Sequence, residues 1–242
     1  MHYTPNTSRK KLLEKILVKE NIVDVEWIES HDKETVSYEL YRNNFKADLI
    51  EYQTRMPSYY SYNLYPLKPE EVSLALKHKS ALEKSFKSNH DCFLFLEDDA
   101  ILEVNFLDRL NSYIQSLPKD WDAAFIGQAV DKRIPESERV EGQYWYKKDF
   151  PADRCTDSIL FSKKAVSRLY NAMESAKICF PIDHEYSHWF RQLNMNVYWL
   201  EPPLVTQGSQ CGIFDSFQDP HSRYLNPNMS IRSDIQELLS GI

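Results

Sequence analysis

The chain has 242 residues, of which 42% are hydrophobic and 27% charged, and its formal net charge is -7. That composition carries enough apolar material for a sizeable core and excludes a disordered or fibrous chain; at this length a single domain over residues 1–242 is expected. The acidic balance argues against a general polyanion binder, so nucleic acid is not an expected partner.

No apolar run approaches the ~20 residues that cross a bilayer, and the opening MHYTPNTSRKK lacks the apolar stretch of a secretory signal. The expectation is a chain with no transmembrane segment, located in the cytoplasm. Cys92, Cys155, Cys179 and Cys211 show no paired spacing, which reads as free thiols in a reducing compartment. The sequons at Asn6 and Asn228 are read as chance.

In chain order, His2-Tyr3 is a candidate short strand. SRKKLLEKIL places Leu12, Leu13, Ile16 and Leu17 at helical spacing, and VDVEWIES alternates Val23, Val25 and Trp27 with polar neighbours as a strand does. Residues 32–67 are rich in Tyr and Asn with weak periodicity, the pattern of a long active-site loop with short helices. PEEVSLALKHKSALEKSF then begins a helix after a proline, with Val72, Ala75, Leu76 and Leu82 on one face. Five consecutive apolar residues, Cys92 to Leu96, predict a fully buried strand that turns polar only at its carboxyl end. FLDRLNSYIQSL is a helix, and WDAAFIG a short buried strand. Residues 128–153 have no clear period and are expected to cross one face of the sheet. SKKAVSRLYNAMESA is a helix capped by Ser162, NVYWL a strand, and SDIQELL a final helix. The alternation of strand and helix predicts an α/β fold with a mostly parallel twisted sheet flanked by helices.

Glu97-Asp98-Asp99 stands directly after the buried strand. Ligands of open α/β sheets bind outside the carboxyl ends of strands, so the three acids fall where a ligand would lie. Adjacent carboxylates repel one another unless a cation neutralises them, and a hard divalent ion with oxygen ligands suits them. Alternate residues of an extended chain share a side, so Glu97 and Asp99 are the candidate metal ligands, and Asp98 points the other way, to a donor ribose or a backbone amide. The alternative is that the acids cap the next helix.

Five segments in order, EVSLALKH, FLFLEDDAIL, SILFSKKAVSRL, FPIDHEY and PPLVTQGS, resemble glycosyltransferase family 25, which includes lipooligosaccharide and collagen galactosyltransferases. SRKKLLEKIL with VDVEWIESHD is similar to that family's arginine-containing opening. The likeness therefore runs over most of residues 1 to about 215. It departs from the family pattern at Ser73 and Lys77, where Gly and Ser are usual, and at Asp157-Ser158, near the position where an aromatic is common. The first strand is also reduced to a few residues.

The resemblance implies a GT-A-like single domain that binds a UDP-sugar, usually with Mn2+ or else Mg2+. It implies transfer of a hexose, galactose or glucose, with inversion, to a hydroxyl of a glycan, a lipid-linked saccharide or a protein. An inverting enzyme needs a general base to deprotonate that hydroxyl. Asp183 of FPIDHEY is the candidate, with a helix cap as its alternative reading. His78 and Gln207 match family positions near the donor; their alternatives are a core hydrogen-bonder and a loop amide. His184, His188 and His221 are further candidate metal or phosphate contacts. Arg9 and Lys10 could face a diphosphate, and Tyr3, Tyr144, Trp145 and Tyr146 could stack on uracil or sugar, although aromatics in such number are mainly packing. Two other classes stay open: a glycoside hydrolase using Glu97 and Asp183, and a degenerate transferase kept as a carbohydrate- or partner-binding module.

Overall fold

The computed structural model describes residues 1–46, 66–128, 132–215 and 231–242. His221 and Asn228 lie outside the described residues, as does much of the loop expected over residues 32–67. The described part of that loop holds a 3-10 turn, Lys33–Thr35, and helix α2, Tyr38–Asn44.

Helix α1 covers Thr7–Lys19 and buries Leu12, Leu13, Ile16 and Leu17, the stripe that the spacing predicts. Helix α3, Pro69–Lys87, starts at a proline, and the Glu71 carboxylate accepts from the Lys68 amide at 2.7 Å, satisfying one of the donors left open at a helix start. Strand β1 is Cys92–Leu96, β2 Ala100–Leu102, helix α4 Phe106–Ile114 and β3 Ala123–Phe125. Strand β4, Trp145–Lys148, lies inside the stretch expected to be irregular. Strand β5, Ser158–Ser162, runs directly into helix α5, Lys163–Ser175, where the Ser162 hydroxyl accepts from the Ala165 amide at 3.1 Å. Helix α6 is Ile182–Gln192, β6 Val197–Leu200, β7 Val205–Gln207 and α7 Ile235–Leu239.

The main sheet has the order β1-β5-β3-β6-β4, and β2 pairs with β7 in a second, two-stranded sheet. Among the described strands only β3 and β6 are parallel neighbours; β1–β5, β5–β3 and β6–β4 are antiparallel. The mixed α/β fold is as expected, but the mostly parallel sheet needs correction. β1, β3 and β6 do run the same way, while β5, entering between β1 and β3, and β4, at the edge, run against them. VDVEWIES and His2-Tyr3 join no ladder: a single bond from the His2 amide to the Ile28 carbonyl (2.9 Å) links them. Val23 and Val25 are exposed, so their alternation faces no core.

Helices cover both faces of the sheet. Phe95, Phe125, Phe161, Val197 and Trp199 pack against α3, α5 and α6 on one face. Ala124, Ile126, Leu160, Tyr198 and Leu200 pack against α1, α4 and α7 on the other. Strands buried on both sides read as continuous apolar runs rather than alternating ones, as β5 does; β1 has the same apolar run but lies at the sheet edge, where only Phe95 is buried and Cys92 is exposed, so the expected fully buried strand needs correction. No helix among the described residues is long and apolar enough to cross a membrane. None of the four cysteines forms a disulfide.

Candidate functional site

The carboxyl end of β1 opens into a cleft of about 130 Å³. Its lining includes Tyr3, Arg9, Lys77, Glu97, Asp99 and Gln207, so residues from opposite ends of the chain meet at the acidic turn. The β2–β7 pair builds one wall: Ala100 is opposite Gln207, and the Gly208 amide donates to the Asp99 carbonyl at 2.7 Å. A side chain at Gly208 would come within 2.9 Å of that carbonyl, so a glycine lets the two turns close on each other.

The three acids have separate environments. Asp98 is committed to the protein. Its Oδ2 meets His2 Nδ1 at 2.9 Å and the Tyr3 amide at 3.0 Å, and its Oδ1 accepts from Arg9 at 3.2 Å. Burial alone would raise its pKa, but the His2 hydrogen bond, the Arg9 charge and the Tyr3 amide outweigh it and hold the carboxyl below its ordinary range. The Tyr3 amide is a backbone partner of the kind expected for Asp98. Asp99 is buried. Its Oδ2 accepts from the Ser209 amide at 3.2 Å and lies 3.6 Å from Arg9 Nη1, while its Oδ1 has no hydrogen-bond partner. Burial pushes the Asp99 carboxyl up, and Glu97 and Asp98 add to this against the pull of Arg9.

Glu97 accepts from the Thr156 hydroxyl at 2.5 Å, with His78 Nε2 at 3.9 Å. His78 is fully buried behind Glu97, and its Nδ1 is 3.2 Å from the Tyr186 hydroxyl. Burial lowers its pKa, with Glu97 and Asp183 pulling the other way, and its Nε2, 3.9 Å from Glu97, has no hydrogen-bond partner. It does not line the cleft. Gln207 does, and its side-chain oxygen accepts from Gln210 at 2.8 Å.

The departures at Ser73 and Lys77 have a structural role. The Ser73 hydroxyl donates to the His31 carbonyl at 2.6 Å, and the buried Lys77 ammonium donates to the Ser30 carbonyl at 2.6 Å and to Asp32 Oδ1 at 2.8 Å. Together they pin the segment around Asp32 across α3, beside the cleft. Thr4 holds Asp32 from the other side.

Asp183 stands in the first turn of α6, one residue inside a helix that begins at Ile182 rather than near His184, and its Oδ1 accepts from the His184 amide at 2.9 Å. Ligand atoms of Asp153, Asp183 and His184 all lie within 4.8 Å of one another. The Lys132 ammonium is 2.6 Å from Asp153 Oδ2, so this cluster already holds a cation of its own. Half-buried Cys155 lies between the two regions. Burial raises its thiol well above the ordinary range, and the charges of Asp183, Asp157 and Glu97 all add to the shift.

The other sequence candidates are built into the protein. Arg9 bridges Asp98 and Asp99. Lys10 pairs with Glu29 at 2.5 Å over the Trp27 ring. Trp145 and Tyr146 are buried in β4, and Tyr144 packs on Tyr113, so these aromatics are packing. His188 is buried beside Phe180 and Trp189.

Sequence reasoning gave Asp157 no role. It is fully buried, takes a hydrogen bond from the Ser158 hydroxyl on Oδ2 (3.0 Å), and has no hydrogen-bond partner on Oδ1. Burial, then the Glu97 charge, raises its carboxyl well above the ordinary range.

A hard divalent cation fits this donor set: carboxylate oxygens only, of which Asp99 Oδ1 is buried and unpartnered at the cleft. No protein-family model matches the chain, and no curated protein matches it.

Proposed function

We propose that the protein is a metal-dependent glycosyltransferase that moves a hexose from a nucleotide-sugar donor, a UDP-sugar by the family resemblance, to an acceptor hydroxyl, with inversion. One observation carries this reading. At the carboxyl end of β1, an edge strand of the main sheet, Glu97 and Asp99 line a cleft whose other walls come from the N-terminal segment, α3 and the β2–β7 turns, and Asp99 retains an unsatisfied buried oxygen there.

Glu97 and Asp99 would hold Mn2+ or Mg2+, which when bound supplies positive charge against the donor diphosphate. Asp98 positions rather than binds: by fixing His2, the Tyr3 amide and Arg9, it holds the N-terminal segment and α1 against the acidic turn. Gln207 offers an amide to the donor. Thr156 keeps Glu97 oriented. Asp183 is the general base, taking the proton of the acceptor hydroxyl as its oxygen attacks the sugar carbon. A second reading makes Asp183 a metal ligand with Asp153 and His184. The Lys132 ammonium on Asp153 weighs against it, because two cations would share one carboxylate.

The test is a screen of nucleotide sugars by thermal shift with and without Mn2+, followed by an assay for nucleoside diphosphate release with acceptor saccharides. A donor that stabilises only with metal, and is then turned over, supports the reading. Metal-dependent stabilisation without turnover favours the degenerate binding module, and glycan cleavage without a nucleotide favours the hydrolase.

A further inference from the structure

A second cavity, of about 280 Å³, opens where β4 ends, β6 begins and α6 runs out. Among the described residues it shares none with the lining of the acidic cleft. Because β1 and β6 run the same way, the acidic turn after β1 and this cavity before β6 lie at opposite ends of the strands.

The β4–β6 register decides which side chains face it. Lys148 is opposite Val197 and Tyr146 opposite Trp199, on the face of the sheet that α6 covers, while Lys147 alternates to the other face, opposite Tyr198. Lys148 Nζ stands 4.7 Å from the centre of the Trp199 ring. The Arg191 guanidinium, in the last turn of α6, stands 4.9 Å from the centre of the Phe150 ring. Such contacts hold a cation in place without cancelling its charge. Among the described residues neither Lys148 nor Arg191 forms an ion pair, whereas Lys132, Arg133, Arg154 and Arg168 each stand beside a carboxylate.

Ser187, on α6, lines the cavity and is 1% exposed. Its hydroxyl accepts from the Ala152 amide at 3.2 Å, and among the described residues nothing accepts its hydrogen. Buried hydroxyl donors are ordinarily paired. Asp149 is the one acid among the described lining residues, so the lining is net positive. Arg offers a planar fork of donors and Lys a compact charge, both of which suit a phosphate. The volume is at the small end for ligand sites, and Val197 adds an apolar wall for a short carbon skeleton.

We propose that this cavity binds the phosphate group of a small phosphate monoester through Lys148 and Arg191. The inference goes beyond the metal-dependent reading and does not depend on it.

Glucose 6-phosphate is the probe, titrated by calorimetry into the whole chain after treatment with a chelator, so that no cation draws phosphate to the acidic cleft. It binds, free glucose does not, and inorganic phosphate competes with it. Lys148→Gln and Arg191→Gln each weaken binding about ten-fold, with melting temperatures near that of the wild type because both side chains reach solvent. Lysine acetylation read by mass spectrometry places the ligand: glucose 6-phosphate protects Lys148 and leaves Lys147, on the other face of β4, as reactive as before. A wild type that does not bind the probe, or a Lys148 that is not protected, overturns the inference. Wild-type affinity in both variants overturns it as well, and returns Arg191 to complementing the carbonyl end of α6 and Lys148 to packing on Trp199. Binding confined to phosphatidylglycerol vesicles overturns it in favour of a membrane surface. None of these results bears on the metal-dependent reading.

Discussion

Replacing Asp99 by Asn separates a metal ligand from a structural acid, because the two roles predict opposite changes. The carboxyl is buried, and Asn keeps an acceptor for the Ser209 amide, so the local shape survives. Burial raises the pKa of Asp99, which means that the native state binds its proton more tightly than the unfolded chain does. The stability contributed by that proton is full below the unfolded pKa and is lost as pH rises through the folded one. At neutral pH the charge is therefore a cost that Asn removes, and the metal-free variant should melt at or above the wild-type temperature. With Mn2+ at about a hundred times its dissociation constant, the wild type gains about 2.7 kcal/mol. For a chain of this size that corresponds to about 5–11 °C in melting temperature. If the variant loses about a hundred-fold in affinity, the same Mn2+ concentration yields only about 0.4 kcal/mol, or about 1–2 °C. Differential scanning fluorimetry with and without metal reads both quantities. A full Mn2+ shift in Asp99→Asn would remove Asp99 from the site, and a collapse of the metal-free protein would show that its charge is needed as a partner for Arg9.

Three further outcomes are expected. Asp183→Asn should lower kcat by about 100- to 10,000-fold with donor affinity unchanged, and wild-type turnover would return Asp183 to the role of a helix-start residue. Lys77→Met breaks the buried pair with Asp32, but Thr4 still holds that carboxylate, so the loss should lie near the lower end for such pairs, about 3 kcal/mol or about 6–12 °C. Adding Asp32→Asn should recover much of that loss in a denaturant melt, and strict additivity of the two would refute the pairing. Gly127→Ala should cost about 1–3 kcal/mol by displacing the Asp157 carboxyl, and Asp157→Ala in the same chain should relieve part of it; a zero coupling energy in that cycle would contradict the close approach.

The elements legible in the sequence are those with a one-sided apolar stripe or an unbroken apolar run. Helices α1, α3 and α5 show a stripe at helical spacing, and β1 is a block of apolar residues between polar ends. β5 was not legible, because SILFS runs into the Ser162 cap without an intervening loop and reads as the lead-in to a helix. β4 looked irregular, because both Trp145 and Tyr146 are buried, one on each face, which removes the alternation that marks a strand. VDVEWIES failed in the opposite way: its alternation is real, but Val23 is 91% exposed and no strand pairs with it.

The acidic turn was legible because charge follows directly on an apolar strand, and that contrast is local. What surrounds it is not local. His2 and Arg9 reach Asp98 across 96 and 89 positions, and Lys77 reaches Asp32 across 45, so no spacing rule could have joined them. The same distance explains the different positions of the sequence candidates. Gln207 comes to the cleft because β7 pairs with β2, the strand that begins at the residue after Asp99. His78 faces the core because it projects from α3 toward Phe95 and Tyr186 on the covered face of the sheet. Asp157 entered the sequence reading only as a departure from the family pattern, not as a site residue. A single acid before an apolar run is commonplace, and it acquires meaning only when the registers of β1–β5 and β3–β5 set it between Glu97 and Gly127. In this chain, then, the site is specified by strand order as much as by residue type. Inserting β5 antiparallel between β1 and β3 delivers the start of one strand to the ends of two others, and that is how a fourth acid reaches the acidic turn.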